Sequence, residues 1–284
     1  MTNESAIRLV FFMGVLIPLA LWEFLSPRRI LTAAKSVRWF GNLGIVLLNT
    51  VALHALFPVL AVDLASMAGR NGWGILNHYR LPFWFAIVIG ILALDLLIYL
   101  QHILFHSVPV FWRLHMMHHA DLDVDVSTGL RFHPIEILMS MGIKMAAVAV
   151  IGPPAVSVLI FEVALNATSL FNHGNILLPG GLDRIIRLFV VTPDMHRVHH
   201  SVTIRETNSN FGFNFPWWDR LFGTYREQPA AGHQAMVIGL SQFRDAKRLT
   251  LPWMLVLPFV GNPGAYSINQ RGREPRRERG NTPW

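Results

Sequence analysis

Eight of the thirteen histidines fall into three tight clusters: His102 and His106 in HILFH, His115, His118 and His119 in HMMHH, and His196, His199 and His200 in HRVHH. Spacings of three and four residues put side chains on one face of a helix, with Cβ atoms about 5–6 Å apart. Neutral imidazole is the commonest side-chain metal ligand, and one ion takes about three or four of them. Eight imidazoles on three helical faces therefore suit two ions. In each H-x-x-H-H trio the first and last rings point the same way, and the middle one lies about 60° aside. Two ions can share such a trio.

The remaining histidines divide. His173, in FNHGN, is the better candidate for a ninth ligand. His133, in RFHPIE, is either a ligand or a hydrogen-bonding strut beside Glu136, with Pro134 opening a helix after it. His54 and His78 read as structural, and His233 as solvated. Asp95 lies seven residues before His102, on nearly the same helical face. A carboxylate inside an apolar helix is costly and usually functional, so it reads either as a structural partner or as one that supports the ligating rings from behind.

The donor set narrows the metal. Nitrogen-only coordination suits iron, zinc or copper and disfavours calcium and magnesium, which want oxygen. Structural zinc needs one closed four-ligand site, which this set exceeds, and no H-E-x-x-H zinc-protease motif is present. Zinc can nevertheless replace iron in such sites during isolation.

The elements that position these residues are apolar. The chain is 52% hydrophobic and only 14% charged, with mean hydropathy +0.40, against about 25% charged residues in average globular chains. Spans of about 20 apolar residues cross a bilayer, and Ala6–Leu25, Phe40–Leu60 and Pro82–Leu104 qualify. A fourth apolar region, Ile135–Phe171, is broken by Gly152-Pro153-Pro154. The expected fold is an all-α integral membrane protein. It has three transmembrane helices, a broken or re-entrant helix pair, and a cytoplasmic helical cap carrying the histidine clusters. The N-terminal run lacks a cleavage site and reads as a retained span. Residues 1–81 form N-terminal membrane helices, 82–227 a histidine-box domain, and 228–284 a C-terminal segment with a basic tail, RGREPRRER, that is disordered and touches anionic headgroups.

Orientation follows from charge bias. Arg28, Arg29, Lys35 and Arg38 follow the first span, against Arg70 and Arg80 in the next loop. The first loop is therefore cytoplasmic, and the third span delivers His102 and His106 to the same side. The net charge of +7 fits a membrane surface rather than nucleic acid, which wants a basic stripe interleaved with aromatics. Without cysteine the chain holds no disulfide, thiolate zinc site, iron–sulfur cluster or thiol nucleophile.

The order H-x-x-x-H, H-x-x-H-H and a distant H-x-x-H-H resembles the fatty acid hydroxylase (sterol desaturase) superfamily. The strings TGLRFHPIE, SLFNHGN and NFGFNFPWWDRLFGTYRE add to the likeness, which covers about residues 90–227. The resemblance implies a membrane-bound non-haem di-iron enzyme that uses dioxygen and two electrons to hydroxylate or desaturate a lipid. It implies metal ligands at His102, His106, His115, His118, His119, His196, His199 and His200, with His173 as the family's further histidine. Trp218, Asp219 and Gly223 match the signature after the third box. Asp219 then reads as a support behind the ligands, with Trp217 and Trp218 at the interface.

The expected function is a lipid monooxygenase whose electrons come from a separate ferredoxin- or cytochrome-type carrier, in a bacterial inner membrane with the site facing the cytoplasm. A histidine-rich metal transporter or sensor is the alternative; transport predicts ligands near the bilayer midplane, whereas these gather at helix ends. Bis-histidine haem binding would place ligands inside facing spans.

Overall fold

The architecture was obtained as a computed structural model, which describes residues 2–79, 81–260 and 262–270. Arg80 and the RGREPRRER tail lie outside the described residues. The chain runs α1 (Thr2–Leu25), α2 (Lys35–Leu56), α3 (Ala61–Asn71), α4 (Ile75–His78), α5 (Phe83–Ser107), α6 (Pro109–His119), α7 (Pro134–Ile151), α8 (Ala155–Asn172), α9 (Gly180–Ile186), α10 (Pro193–His199), α11 (Ile204–Thr207) and α12 (Trp217–Leu221), followed by short turns. Among the described residues, five helices (α1, α2, α5, α7 and α8) are long and apolar enough to cross a membrane. Large side chains such as Phe11, Phe24, Phe40, Leu47, Phe83 and Trp84 stay exposed on them, as suits helices whose solvent is hydrocarbon.

Two boundaries differ from the sequence expectation. The second span begins at Lys35 rather than Phe40 and ends at Leu56, where Phe57-Pro58 cannot continue the helix. Arg38, counted as a loop charge, is therefore a fully buried helical residue. The broken region resolves into α7 and α8, each of 18 residues, or about 27 Å at 1.5 Å per residue, close to the bilayer core. Gly152 turns between them at φ +66°, and a Cβ there would meet the Trp73 carbonyl oxygen at 2.4 Å. The short α3 packs against both halves, and its Ala61, Ala65 and Ala68 are buried. Side chains that small let backbones approach closely.

Local chemistry sets the helices that carry histidines. α5 ends at Ser107, and after the single residue Val108, Pro109 opens α6. Proline donates no N–H and suits a first helical position, so the chain bends within one residue and turns α6 back over the end of α5. Asp125 caps the turn Val126–Leu130 by accepting from Ser127 N, while Asp125 N donates to Thr128 Oγ1. Thr192 caps α10, with Pro193 at its start.

The C-terminal segment packs onto the site. Leu240, Phe243, Met254, Leu257 and Tyr266 form one core cluster with Trp112, Met116 and Met117 of α6 and Ile45 of α2. The first loop is fastened to the same side: Arg28 pairs with Asp194 at 3.0 Å, and Pro27 bridges to Ile176.

Candidate metal centre

Nine buried histidines form two groups. His102, His106, His115, His119 and His199 make one, and His118, His173, His196 and His200 the other; within each, ligand-capable atoms lie within 4.8 Å of one another. Each trio splits as its helical spacing requires. On α6 the outer pair, His115 and His119, face the group of five and His118 the group of four. On α10 the assignment reverses: His196 and His200 face the group of four, and His199 crosses to the five.

Outward hydrogen bonds fix the rings. Nδ1–H of His102 donates to the Phe211 carbonyl at 2.8 Å, of His118 to the Arg131 carbonyl at 3.1 Å, of His173 to the Ser169 carbonyl at 2.7 Å and of His199 to the Ser209 carbonyl at 2.7 Å. Asn208 Oδ1 accepts from His106 at 3.1 Å, and Glu136 Oε1 from His115 at 2.6 Å. A proton on Nδ1 leaves the Nε2 lone pair free and inward. Nε2 atoms then meet Nε2 atoms: His102 and His115 at 3.1 Å, His106 and His119 at 3.2 Å, His118 and His173 at 3.2 Å. Where both rings carry their proton on Nδ1, as in His102 with His115 and His118 with His173, the facing lone pairs repel unless a cation lies among them. His199 Nε2 and both ring nitrogens of His200 are also buried with no hydrogen-bond partner. The nitrogen-only donor set and these orphaned atoms fit two metal ions.

Burial favours the neutral form these rings need. His118, His119, His196, His199 and His200 are held well below the ordinary imidazole range, first by burial and then by their neighbouring histidines. His173 is lowered to about 4, burial again leading. A neutral imidazole binds metal without first losing a proton.

Behind the rings lies a layer of longer-range contacts. Asp219 accepts from the backbone N–H groups of Phe211 and Gly212 at 2.8 and 2.9 Å, and so steadies the carbonyl that receives His102. Burial pushes its carboxyl up to about 6 against the hydrogen bonds it accepts. Arg38 donates to Asp121 at 2.7 Å and to Asp125 at 2.5 Å, while Arg131 donates from Nε to the Met117 carbonyl at 2.9 Å. Burial opposes ionisation of Asp121, yet Arg38 and Arg131 hold its carboxyl below the usual range.

One expectation needs correction, and two open readings are narrowed. His133 joins neither group: its Nδ1 accepts from Ile135 N at the start of α7, and its Nε2 faces the Leu255 carbonyl at 3.2 Å. It is a strut, and Glu136 bonds His115 instead. Asp95 touches no imidazole; it accepts from Asn214 at 2.8 Å and from Trp218 Nε1 at 2.7 Å, so it braces the segment after the third box rather than a ring. Trp218 is thereby tied inward, while Trp217 is exposed and donates to the Leu188 carbonyl. His233 is not solvated but buried, with Nε2 3.6 Å from Asp194. His54 and His78 are exposed and remote from both groups.

Sequence reasoning missed Arg38, Asn208 and the carbonyls of Arg131, Ser169, Ser209 and Phe211. The alternating aspartates of DLDVD, one residue after HMMHH, were a signal for a buried cation; backbone acceptors leave no sequence trace.

Residues 87–224 match the family model for fatty acid hydroxylase. The chain is 27% identical to an ornithine lipid hydroxylase of Rhizobium tropici over 78% of its own length and 67% of that protein. It is 28% identical to human alkylglycerol monooxygenase over 60% of this chain and 36% of that one. A very-long-chain aldehyde decarbonylase of Oryza sativa is 28% identical, over 61% of this chain and 29% of the other. The chain thus spans about two thirds of the rhizobial relative and about a third of the human and rice ones. No solved structure matches the chain. The histidine boxes, their order and the match over residues 87–224 support the fatty acid hydroxylase superfamily.

Proposed function

We propose that the chain is a membrane-bound non-haem di-iron oxidoreductase that uses dioxygen and two electrons to hydroxylate or desaturate a lipid C–H bond. The observation that carries this reading is the pairing of inward Nε2 atoms at 3.1–3.2 Å in two adjoining groups. His102, His106, His115, His119 and His199 would hold one ion, and His118, His173, His196 and His200 the other. Two iron ions supply dioxygen activation and the oxidising power for C–H cleavage. Hydroxylation balances as substrate, dioxygen, two electrons and two protons giving the alcohol and water.

The chain's own residues hold and orient. The Glu136 carboxylate fixes the His115 tautomer. Asp219 fixes the Phe211 carbonyl behind His102, and Asn208 orients His106. The partly buried Phe132, stacked on His118 at 4.4 Å between ring centroids, and the buried Phe213 keep bulk water from the rings. A lipid substrate agrees with the membrane helices and with the lipid-acting relatives.

Two features support a cytoplasmic site in a bacterial inner membrane: the arginine-rich first loop and its fastening to α10 through Arg28 and Asp194. The electrons come from a separate ferredoxin- or cytochrome-type protein, since a chain without cysteine cannot ligate an iron–sulfur cluster by thiolates. Metal transport wants ligands near the midplane, and nine histidines gathered at one end of the helices do not offer that.

The deciding experiment is expression under aerobic growth with comparative lipid mass spectrometry. A lipid heavier by one oxygen, or lighter by two hydrogens, and lost on His118→Ala, identifies the reaction and its substrate. An unchanged lipid profile with iron-loaded protein in the membrane overturns the assignment.

A further inference from the structure

Beside the metal centre lies a second polar cavity of about 350 Å³, within the range of small-molecule sites of about 300–1,000 Å³. Arg28, Arg184, Arg187, Asp194, Glu227 and His233 line it, with Gly180 and Leu177 of the segment around α9. It adjoins α10 through Asp194, on the helix that carries His196, His199 and His200.

The chemistry of the lining is incomplete. His233 is 6% exposed and Arg187 4% exposed, yet both ring nitrogens of His233 and Nε of Arg187 have no hydrogen-bond partner. Buried donors without acceptors are costly. Arg187 is otherwise held in place: Nη1 donates to the Glu227 carbonyl at 3.2 Å and Nη2 pairs with Asp183. Of the lining charges, Arg28 pairs with Asp194 and Arg187 with Asp183, while Arg184 and Glu227 have no ion-pair partner among the described residues. A guanidinium is the side chain best shaped for carboxylate and phosphate oxygens.

The rim is apolar and open. Leu177, Leu182, Ile185, Leu188 and Phe189 are all exposed, Ile185 by 61% and Phe189 by 59%, although none belongs to a membrane-spanning helix. A short helix with one exposed apolar face and arginines on the other sits naturally at a headgroup boundary.

We propose that this cavity binds the anionic headgroup of a membrane lipid, with Arg187, Arg184 and His233 taking the oxyanion and the α9 rim taking the start of the acyl chains. The site stands independently of the oxidation chemistry and of the metal, because none of its lining residues is a histidine of the two groups.

The test uses the full chain in detergent micelles doped with phosphatidylglycerol or with phosphatidylcholine, read by native mass spectrometry. The expected result is one retained phosphatidylglycerol per chain and no comparable retention of phosphatidylcholine. Retention falls at least tenfold in Arg187→Gln and in Arg184→Gln. The exposed position of Arg184 keeps that variant informative if Arg187→Gln fails to fold. Arg205→Gln, exposed and outside the cavity, retains the lipid. Equal retention of phosphatidylcholine, equal loss in Arg205→Gln, or full retention in Arg184→Gln overturns the proposal. Displacement of the lipid by millimolar inorganic phosphate alone would assign the cavity to a free oxyanion instead, and so also overturns it.

Discussion

Glu136 Oε1 accepts the Nδ1 proton of His115 at 2.6 Å, and both side chains are buried. The bond joins the first turn of α7 to the ligand face of α6, so a membrane helix directly sets the tautomer of a ring in the group of five. Outer carboxylates of this kind typically change metal affinity about 10–100-fold. Glu136→Ala should lower metal retention by that order, measured by elemental analysis after dialysis against graded chelator. Glu136→Gln, which keeps an acceptor, should lose less.

His118 and His133 offer a paired contrast. His118→Ala removes a ring from the group of four and should release metal. His133→Ala removes only a cap on α7, so metal content should be unchanged while stability falls by about 1 kcal/mol. Elemental analysis and thermal unfolding of the two purified variants separate a ligand from a strut.

Gly129 sits where a Cβ would lie 2.5 Å from the Ser169 carbonyl oxygen and 3.2 Å from His173 Nδ1. That carbonyl is also the acceptor for His173 Nδ1. Gly129→Ala should therefore displace His173 and weaken the group of four while the protein still inserts in the membrane. Chelator titration of the membrane-extracted variant checks it.

Arg38 neutralises Asp121 and Asp125 where all three are fully buried. Removing one partner of such a set costs about 3–5 kcal/mol because the other charges stay stranded. Arg38→Met should unfold at markedly lower temperature. Arg38→Lys should rescue little, since Arg38 reaches Asp121 with two separate nitrogens and an ammonium is a single point.

The pH dependence has a definite sign. His173 has a folded value of about 4 against about 6.5 in the unfolded chain, so the unfolded state binds more protons between these limits. Its contribution to stability is whole above about pH 6.5 and is lost as pH falls toward about 4. The metal-free protein should show a melting temperature that is flat above pH 6.5 and declines below it. A melting temperature that rises on acidification would contradict the buried, neutral state of these rings.

The histidine centre was legible because helical spacing is local: three boxes, read at 100° per residue, already imply that His118 and His199 point aside from the first and last rings of their trios. The apolar spans were equally plain, because length and composition decide them. What escaped depends on partners far along the chain. Arg38 reads as a loop charge until Asp121, 83 residues on, comes to meet it. Asp95 sits on the correct face for His102, but Asn214 and Trp218, more than a hundred residues away, claim both its oxygens. His233 sits in a polar stretch, yet a pocket built from α9, α10 and the first loop covers it.

The crossed allegiance of the two trios has a consequence for assembly. Neither group owns a helix: α6 and α10 each give rings to both. If each group holds an ion, the first to arrive would draw those two helices into register and so prepare the place of the second. Filling should then be all-or-none in character, with half-filled chains scarce at every metal concentration, and the two sites would behave as a single keystone rather than as two independent stones.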